Sequence, residues 1–565
     1  MMRILYEGQV LCLNKCFHFA DTLGGVRPST CLLHVSMALT GWKHGRTTRL
    51  DHGRVPQAGH LGETPLRTSL DARPGCTPEH VRLKSSGVNF SRVKTMLFLL
   101  GMTLTFLVTA SKVLTWDKKG LLSAGYQLKS DNFSSGSAAA ATAALSSERT
   151  SVDMKQLMRI IHPKLEYPPR RAPEEKDIIE TDPQLFSVIP RHFLPGIKSP
   201  CWYQEVSGET GDDPYKRNLF AVRSKSFMGV SEQLRSNFRL RRRDGRRFRL
   251  RCLPYFYIIG QPKCGTTDLF YRMLLHPQGR FNFMKEPHWW TRKRFGYIRF
   301  KYGSQRRFPV EDYLDLFDLS AHNIHAPSSG TPPRTAPCSS SQVNRCESGE
   351  ASASTMWDNQ VWRYLHGDGE ETEPPFLVQD FIHTAQPGAK VIVMLRDPVE
   401  RLYSDYLYFN AANKSAEDFH QKVVRSVKLF QSCLLGRSLR FCVYSTSLAN
   451  SLQVRLNLGL YIVFLLDWLS VFPREQILVL RLEDYATNLE GTLDQVFSFL
   501  EAGPLPKEAK AALVQRPSSN TRRAADKNLG PMLPCTRRLL GDFHQPFNHK
   551  LASVLQDQAF LWTDS

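Results

Sequence analysis

The segment Gly260–Thr267 reads GQPKCGTT and combines a lysine, two glycines and two threonines in the manner of a phosphate-binding loop. It follows an apolar run and precedes a segment with helical spacing, so its backbone amides are expected to converge at the positive end of a helix dipole. A Walker A loop has its lysine directly after the second glycine, where this chain has Thr266. The loop therefore predicts phosphate binding and disfavours a conventional ATPase or kinase.

The lysine placed inside the loop, followed by Gly-Thr-Thr, resembles the 5′-phosphosulfate loop of sulfotransferases that use 3′-phosphoadenosine 5′-phosphosulfate (PAPS). A second feature of that family, an arginine at the end of a strand and a serine eight residues later on a helix, is matched by Arg396 and Ser404. The resemblance implies that these two residues bind the nucleotide 3′-phosphate. It assigns the 5′-phosphosulfate to Lys263, Cys264, Gly265, Thr266 and Thr267. From the residues alone, Arg396 has an alternative role in an ion pair with Asp397 or Glu400, and Cys264 is expected to be a small buried packing residue.

The run Lys285-Glu286-Pro-His288-Trp289-Trp290 resembles the Lys-Glu pair and aromatic residues of sulfotransferases that act on glycosaminoglycans. That resemblance implies that Glu286 is the general base for the acceptor hydroxyl, while Lys263 neutralises charge on the leaving phosphate oxygen. Lys285 and His288 are expected to support the base. Lys285, Trp289 and Trp290 are expected to bind the substrate, with the two tryptophans stacking on sugar rings. An ion pair of Glu286 with Lys285 or Arg292, and packing roles for the aromatic residues, remain the alternatives.

A late basic segment completes the resemblance to the carbohydrate sulfotransferases that modify chondroitin, which covers the chain from about Phe186 to its end. Thr521, Arg522 and Arg523 are similar to the loop that closes over PAPS in this family, although the usual Lys-Gly-Arg is replaced. The resemblance implies transfer of sulfate from PAPS to the C6 hydroxyl of 4-sulfated N-acetylgalactosamine in chondroitin or dermatan sulfate. No metal is required and no nucleic acid partner is expected.

Other functions remain open at this point. The acceptor could be heparan sulfate or unsulfated chondroitin, because enzymes for those chains share the same PAPS-binding motifs. A non-catalytic glycan-binding protein could use Arg235–Arg251, which contains nine arginines and one aspartate, as a stripe for a polyanion. The same segment is equally well interpreted as a solvated basic face.

Three apolar runs are expected to form the strands that position these residues: Tyr255–Gly260, Lys390–Leu395 and Gln476–Leu480. Each is followed by a segment with helical spacing, which predicts a central parallel sheet flanked by helices. The expected class is α/β, with a P-loop-like sulfotransferase fold. The Pro/Ser-rich stretch Ala326–Ser348 replaces a hydrophobic strand of the resembling family. It either distorts the sheet near the acceptor cleft or is an artefact of the sequence that leaves the enzyme intact.

Composition and charge are typical of a folded protein that binds a polyanion. The chain has 565 residues, of which 42% are hydrophobic and 22% charged, and it carries a formal net charge of +21. These values exclude global disorder and a polytopic membrane protein, and they predict affinity for an unspecified polyanion.

One segment is long and apolar enough to cross a bilayer. Thr95–Trp116 would span roughly 33 Å as a helix, against about 30 Å of hydrocarbon. We expect a poorly ordered cytosolic tail over residues 1–94, a transmembrane anchor over 95–116, a flexible luminal stem over 117–185 and a luminal catalytic domain over 186–565. The resemblance implies a single-pass type II protein of the Golgi membrane.

Other residue patterns depend on that topology. Asn132 and Asn413 begin glycosylation sequons that have meaning only on the luminal side. Cys433 and Cys442, nine residues apart, are expected to form a local disulfide if the compartment is oxidising. The twelve cysteines show no spacing typical of a zinc site.

Overall fold

The computed structural model of the protein describes residues 152–207, 213–276, 284–296, 306–325, 348–359, 373–410, 413–503 and 505–563. The predicted tail, the predicted membrane span 95–116 and the sequon at Asn132 lie outside these residues. Within them, no helix is both long and apolar enough to cross a membrane.

A four-stranded parallel sheet forms the centre of the protein. Its strands are β4 (Phe256–Gly260), β5 (Gly349–Ala351), β6 (Lys390–Leu395) and β7 (Ile477–Arg481), in the order β5–β4–β6–β7. All three neighbouring pairs are parallel. The α/β class and the three predicted strands are confirmed.

Strand β5 shows how the sheet continues after the Pro/Ser-rich stretch Ala326–Ser348, which we expected either to distort the sheet or to leave it intact. It begins directly after the Pro/Ser-rich stretch, has three residues and lies at the edge of the sheet. A Cβ on Gly349 would lie 2.3 Å from the ring of Phe256, so only glycine allows this close pairing. The sheet therefore keeps a strand beside the insertion, although a short one.

Both faces of the central sheet are covered. Successive residues of β6 alternate between two apolar clusters: Val391 and Val393 pack into one, while Ile392 and Met394 pack into the other. This alternation explains the continuous apolar run, since a parallel sheet buries both of its faces.

A second, antiparallel sheet has the order β1–β3–β2 and precedes the central sheet in the chain. Its strands are β1 (Cys201–Glu205), β2 (Arg241–Arg243) and β3 (Arg246–Cys252). A disulfide joins Cys201 to Cys252, which are directly paired across β1 and β3. This disulfide was not predicted, because its two cysteines are 51 positions apart and no local pattern links them.

Helices surround the two sheets. The α-helices are Met154–Leu165, Glu175–Thr181, Pro183–Val188, Leu219–Arg223, Lys225–Asn237, Thr266–Met273, Val310–Leu314, Asp318–His325, Val378–Ala385, Pro398–Phe409, Ala416–Gly436, Leu439–Tyr444, Thr446–Ser451, Tyr461–Leu469, Leu482–Thr487, Leu489–Phe499, Lys507–Gln515, Ala524–Lys527 and Pro534–Leu555. The 3₁₀ helices are Lys293–Phe295, Asp315–Phe317, Leu456–Gly459, Arg474–Gln476 and Gln558–Leu561.

The predicted stem of residues 117–185 is folded over its described part, so the predicted domain boundary at residue 186 is too late. The helix Met154–Leu165 buries Leu157 and Ile161 completely, and it packs against Pro534–Leu555. Arg170, in the proline-rich segment that we expected to be flexible, donates a 3.0 Å hydrogen bond to the buried Asp380. These contacts anchor the segment to the rest of the described protein.

Two predicted modification sites lie beside the helix Ala416–Gly436. Cys433 near its end is joined to Cys442 by a disulfide. Asn413 is exposed and lies three residues before the helix begins. Both features therefore lie outside the central sheet.

Candidate active site

The phosphate loop connects β4 to the helix Thr266–Met273. Gly265 caps this helix with a φ of 86°, and a Cβ at this position would lie 2.6 Å from Leu482 Cδ1. Lys263 also has a positive φ, of 69°. Thr266 is buried and Thr267 is half-buried at the start of the helix, where unpaired amides favour an anion.

Cys264 does not present its side chain to this loop. The residue is completely buried, and burial raises the pKa of its thiol to about 12. Its Sγ lies 4.0 Å from Tyr461 Oη. A contribution of Cys264 to anion binding would therefore come from its backbone, while the side chain packs.

Lys263 lies in a strongly cationic environment. Its Nζ is 3.6 Å from the centroid of the Tyr408 ring. Burial lowers the pKa of Lys263 to about 8; Asp405 opposes this shift, whereas Arg396, Arg455 and Arg523 add to it. An anion bound here would relieve that repulsion, which fits a site for phosphate or sulfate groups.

Arg396 and Ser404 lie where the sequence placed them, at the end of β6 and on the helix Pro398–Phe409. Tyr461 Oη donates a 2.8 Å hydrogen bond to the Arg396 carbonyl, which fixes the backbone. The guanidinium contacts Glu400 at 3.4 Å, longer than a typical charge-assisted hydrogen bond. Ser404 is half-buried. The alternative ion pair with Glu400 is thus present, but its geometry is weak.

The late basic segment lies beside the same helix. The Arg522 guanidinium is 5.4 Å from the centroid of the Tyr403 ring, and that of Arg523 is 5.8 Å from the Tyr408 ring. Arg523 also donates a 3.1 Å hydrogen bond to the Leu407 carbonyl. Tyr408 therefore contacts both Lys263 and Arg523, which brings two distant sequence motifs together; Thr521 is exposed.

Two residues on the helix after the phosphate loop anchor the segment that leads to Arg522 and Arg523. Asp268 Oδ1 accepts a 2.7 Å hydrogen bond from the Ser519 amide, and Arg272 donates to the Arg516 carbonyl at 2.7 Å. Asp268 and Arg272 also pair with each other at 2.7 Å. The sequence analysis missed both, although opposite charges four residues apart on a helix were a readable signal.

Glu286 lies at the carboxyl edge of the central sheet. Its amide donates a 2.8 Å hydrogen bond to the carbonyl of Ala351, the last residue of β5, while the phosphate loop follows the neighbouring β4. The carboxylate accepts hydrogen bonds from Lys285 Nζ at 2.5 Å and from the Ala353 amide at 3.1 Å. Burial would raise the pKa of Glu286, but Lys285, His288 and these hydrogen bonds hold it below its ordinary value.

His288 is held as a neutral imidazole against Glu286. Its Nε2 is 3.3 Å from Glu286 Oε2, and its Nδ1 shares a 2.7 Å hydrogen bond with Ser354 Oγ. Burial lowers the pKa of His288 to about 4, although Glu286 opposes the shift. A neutral ring can donate from Nε2 to the carboxylate while Nδ1 accepts from the serine.

A second carboxyl group, which the sequence analysis missed, lies in β5. Glu350 is buried, and its Oε1 accepts a 2.6 Å hydrogen bond from Ser352 Oγ, which in turn accepts from the His288 amide at 3.0 Å. Burial raises the pKa of Glu350 to about 8; the bond from Ser352 lowers it, whereas the neighbouring Glu286 raises it. At neutral pH the two carboxyl groups therefore differ in charge, with Glu286 ionised and Glu350 protonated.

Trp289 and Trp290 are core residues, which contradicts their predicted role in stacking on sugar rings. Their side chains are 3% and 2% exposed. Trp289 Nε1 donates to the Phe308 carbonyl at 3.0 Å, and Trp290 Nε1 donates to Tyr313 Oη at 3.0 Å. Their rings therefore hold the segment after Glu286 against the helix Val310–Leu314.

The chain is similar to several known proteins. The chain matches the family described as "Sulfotransferase domain" over residues 254–530. It is 53% identical over 411 residues to carbohydrate sulfotransferase 15 of Homo sapiens, covering 72% of each chain. It is 53% identical over 412 residues to carbohydrate sulfotransferase 15 of Rattus norvegicus, covering 73% of each chain. A solved sulfotransferase from Alicyclobacillus acidocaldarius is similar at 20% identity with a TM-score of 0.36, covering 55% of this chain and 98% of that one.

Proposed function

The chain belongs to the carbohydrate sulfotransferases, and from that premise we propose that it transfers sulfate from PAPS to the C6 hydroxyl of 4-sulfated N-acetylgalactosamine in chondroitin or dermatan sulfate. One observation carries the proposal. An ionised Glu286, bonded to the end of β5, and a phosphate loop that follows the adjacent β4 lie at the same edge of the sheet. A base and an anion site are therefore adjacent at the place where open α/β sheets bind their ligands.

The residues at this edge fit PAPS, which supplies an activated sulfuryl group. Gly265 allows the tight turn of the loop, because a Cβ at this position would clash with Leu482. The helix Thr266–Met273 directs its amino end toward the loop. Lys263 with the loop amides would hold the 5′-phosphosulfate. Arg396 and Ser404 would hold the 3′-phosphate, with Arg522 and Arg523, which contact the helix that carries Ser404, closing the site.

In the proposed reaction, Glu286 removes the proton from the acceptor C6 hydroxyl as that oxygen forms a bond to sulfur. Lys263 stabilises the negative charge that develops on the phosphate oxygen as its bond to sulfur breaks. The neutral His288 and the Ala353 amide keep the Glu286 carboxylate oriented. Glu286 then releases the proton to water.

The choice of acceptor rests on the resemblance of the motifs to enzymes acting on chondroitin. The test is transfer of radiolabelled sulfate by the full-length protein to chondroitin sulfate A, unsulfated chondroitin and heparan sulfate, with disaccharide analysis. A 4,6-disulfated N-acetylgalactosamine product from chondroitin sulfate A alone is expected. Product from another acceptor would contradict the proposed specificity for chondroitin sulfate A. A wild-type protein that does not bind PAPS would contradict the proposed enzyme class.

Glu286→Gln separates catalysis from binding in the same assay. The variant keeps the shape of the side chain and its hydrogen bond from Ala353, but it cannot take a proton. We expect transfer to fall about a thousandfold with unchanged PAPS affinity. A non-catalytic glycan-binding protein would show neither transfer in the wild type nor any effect of this change. A kinase or ATPase would instead hydrolyse ATP with magnesium.

We further propose that residues 95–116 anchor the protein in the Golgi membrane with the described body in the lumen. The two disulfides, Cys201–Cys252 and Cys433–Cys442, support an oxidising compartment. Expression in mammalian cells should give a protein whose mobility on gels shifts after glycosidase treatment. The shift should disappear in Asn132→Gln/Asn413→Gln, and a wild type without any shift would contradict the luminal orientation.

A further inference from the structure

The strands β2 and β3 form a hairpin in which arginine follows arginine. Asp244 and Gly245 make its two-residue turn, both with positive φ, of 49° and 73°. We call residues 241–247 the arginine hairpin; its arginines are Arg241, Arg242, Arg243, Arg246 and Arg247. The first four are exposed and the last is half-buried.

The pairing within the hairpin places like charges opposite each other. Arg242 is directly opposite Arg247, and Arg243 is directly opposite Arg246. Such pairs destabilise a two-stranded ribbon. The adjacent carboxylates offset little of the repulsion between Arg243 and Arg246, because the contacts of Arg243 with Asp244 at 3.5 Å and of Arg246 with Glu205 at 3.4 Å are exposed. A bound polyanion would relieve the repulsion within this pair.

The base of the same strand is built differently. Arg249 and Arg251 are buried, and each contacts both Asp315 and Asp318. The disulfide from Cys252 fixes the end of β3 to β1. The exposed arginines are therefore displayed on a rigid base, which lowers the entropy lost when a ligand orders them.

We propose that the arginine hairpin is a second binding surface for a sulfated galactosaminoglycan chain, separate from the site of sulfate transfer. The chemistry favours this ligand because guanidinium groups bind sulfate oxygens through paired hydrogen bonds, and every basic residue in the hairpin is an arginine. This inference rests on the proposed function, which makes such a chain the acceptor.

The two surfaces belong to different sheets. The arginine hairpin is part of the antiparallel sheet β1–β3–β2, whereas Lys263 and Glu286 lie at the carboxyl end of the central parallel sheet. We expect a long acceptor chain to contact both surfaces and a short oligosaccharide to contact only the reaction site. The hairpin should therefore raise the effective concentration of long acceptors only.

The test compares Arg242→Thr/Arg243→Thr/Arg246→Thr with a control that removes the same three charges from exposed helical positions, Lys155→Gln/Arg159→Gln/Lys176→Gln. Threonine suits a strand and removes both like-charge pairs, so the melting temperature should not fall. Sulfate transfer by the full-length protein is measured with chondroitin sulfate A polymer and with its tetrasaccharide. Binding to immobilised polymer is measured without PAPS, with single-stranded DNA as competitor.

For the hairpin variant we expect the polymer KM to rise about tenfold, with unchanged kcat and unchanged tetrasaccharide KM. The control should stay within about twofold of the wild type for both acceptors. An unchanged polymer KM, equal losses for both acceptors, or DNA competing as well as chondroitin sulfate A would each overturn the proposal. Because the binding measurement needs no reaction, a wild type that binds polymer through the hairpin but makes no product would contradict only the proposed function.

Discussion

At the scale of single residues, the site is defined by titratable groups whose pKa values are shifted from their ordinary values. Lys263 has a lowered pKa because it is partly buried among three arginines, and Glu286 stays ionised because Lys285 and His288 are adjacent. Glu350 stays protonated because it is buried next to that ionised group. The shift at Lys263 should shrink when an anion binds, so ligand binding and proton binding are coupled there.

Lys263 should make binding of the donor nucleotide dependent on pH. Its pKa of about 8 in the free protein must rise when an anion binds, because the charged form then gains a partner. Affinity for adenosine 3′,5′-bisphosphate should therefore fall as pH rises above about 8, with proton uptake near that pH. Calorimetric titration between pH 6.5 and 9 measures both quantities. In Lys263→Met the proton uptake should vanish; uptake that persists in this variant would assign the titration to another group.

Glu350 should be replaceable by glutamine but not by alanine. Glutamine copies the protonated carboxyl and can accept the hydrogen bond from Ser352, which holds the His288 amide. We expect Glu350→Gln to keep transfer within about threefold at pH 7, and Glu350→Ala to lose at least tenfold.

The stability of Glu350→Gln relative to the wild type should depend on pH in a predictable direction. Because the folded-state pKa of Glu350 is raised to about 8, the folded protein binds a proton that the unfolded chain releases near pH 4.3. The wild type should therefore lose stability relative to Glu350→Gln as pH rises from about 4.3 to 8, and the difference should then level off. Thermal melts across this range measure the difference; a constant difference would show that Glu350 is ionised when buried.

At the scale of elements, the apolar runs in the sequence correctly predicted the buried strands. The predicted strands Tyr255–Gly260 and Gln476–Leu480 are found as Phe256–Gly260 and Ile477–Arg481, because buried parallel strands are continuous apolar runs. Burial that depends on distant partners was not predictable. Trp289 and Trp290 were assigned to the ligand surface, but Tyr313 and Phe308 enclose them.

The loop that carries Arg522 and Arg523 should depend on the helix Thr266–Met273. Asp268→Ala removes the acceptor for the Ser519 amide and for Tyr485 Oη, so the loop loses one of its two anchors without losing a residue of the anion site. We expect the dissociation constant for adenosine 3′,5′-bisphosphate to rise about tenfold, measured by calorimetry. Asp494→Ala, which removes an exposed partner of Lys510, is the matched control and should leave binding unchanged. Equal binding by both variants would show that the loop is held independently of Asp268.

At the scale of the whole molecule, the catalytic body begins before the resemblance to the family suggested. The segment before residue 186 was interpreted as a stem because its prolines and charges are typical of linkers. The contacts that make it part of the body come from distant parts of the chain, such as Asp380, which pairs with Arg170, and Lys550, which pairs with Glu166 at 2.9 Å. No local pattern reports such a contact.

This difference predicts where the chain can be shortened. A protein that starts at Leu121 keeps the helices Met154–Leu165, Glu175–Thr181 and Pro183–Val188, and it should fold and melt cooperatively. A protein that starts at Phe186 loses buried side chains such as Leu157, Ile161 and Ile178, each worth roughly 1.5–3 kcal/mol. That loss is comparable with the whole stability of a domain, so the shorter protein should aggregate or melt many degrees lower. Secretion yield and thermal melts of the two proteins decide the matter: a shorter protein with the melting temperature of the longer one would mean that these helices cover the body without stabilising it.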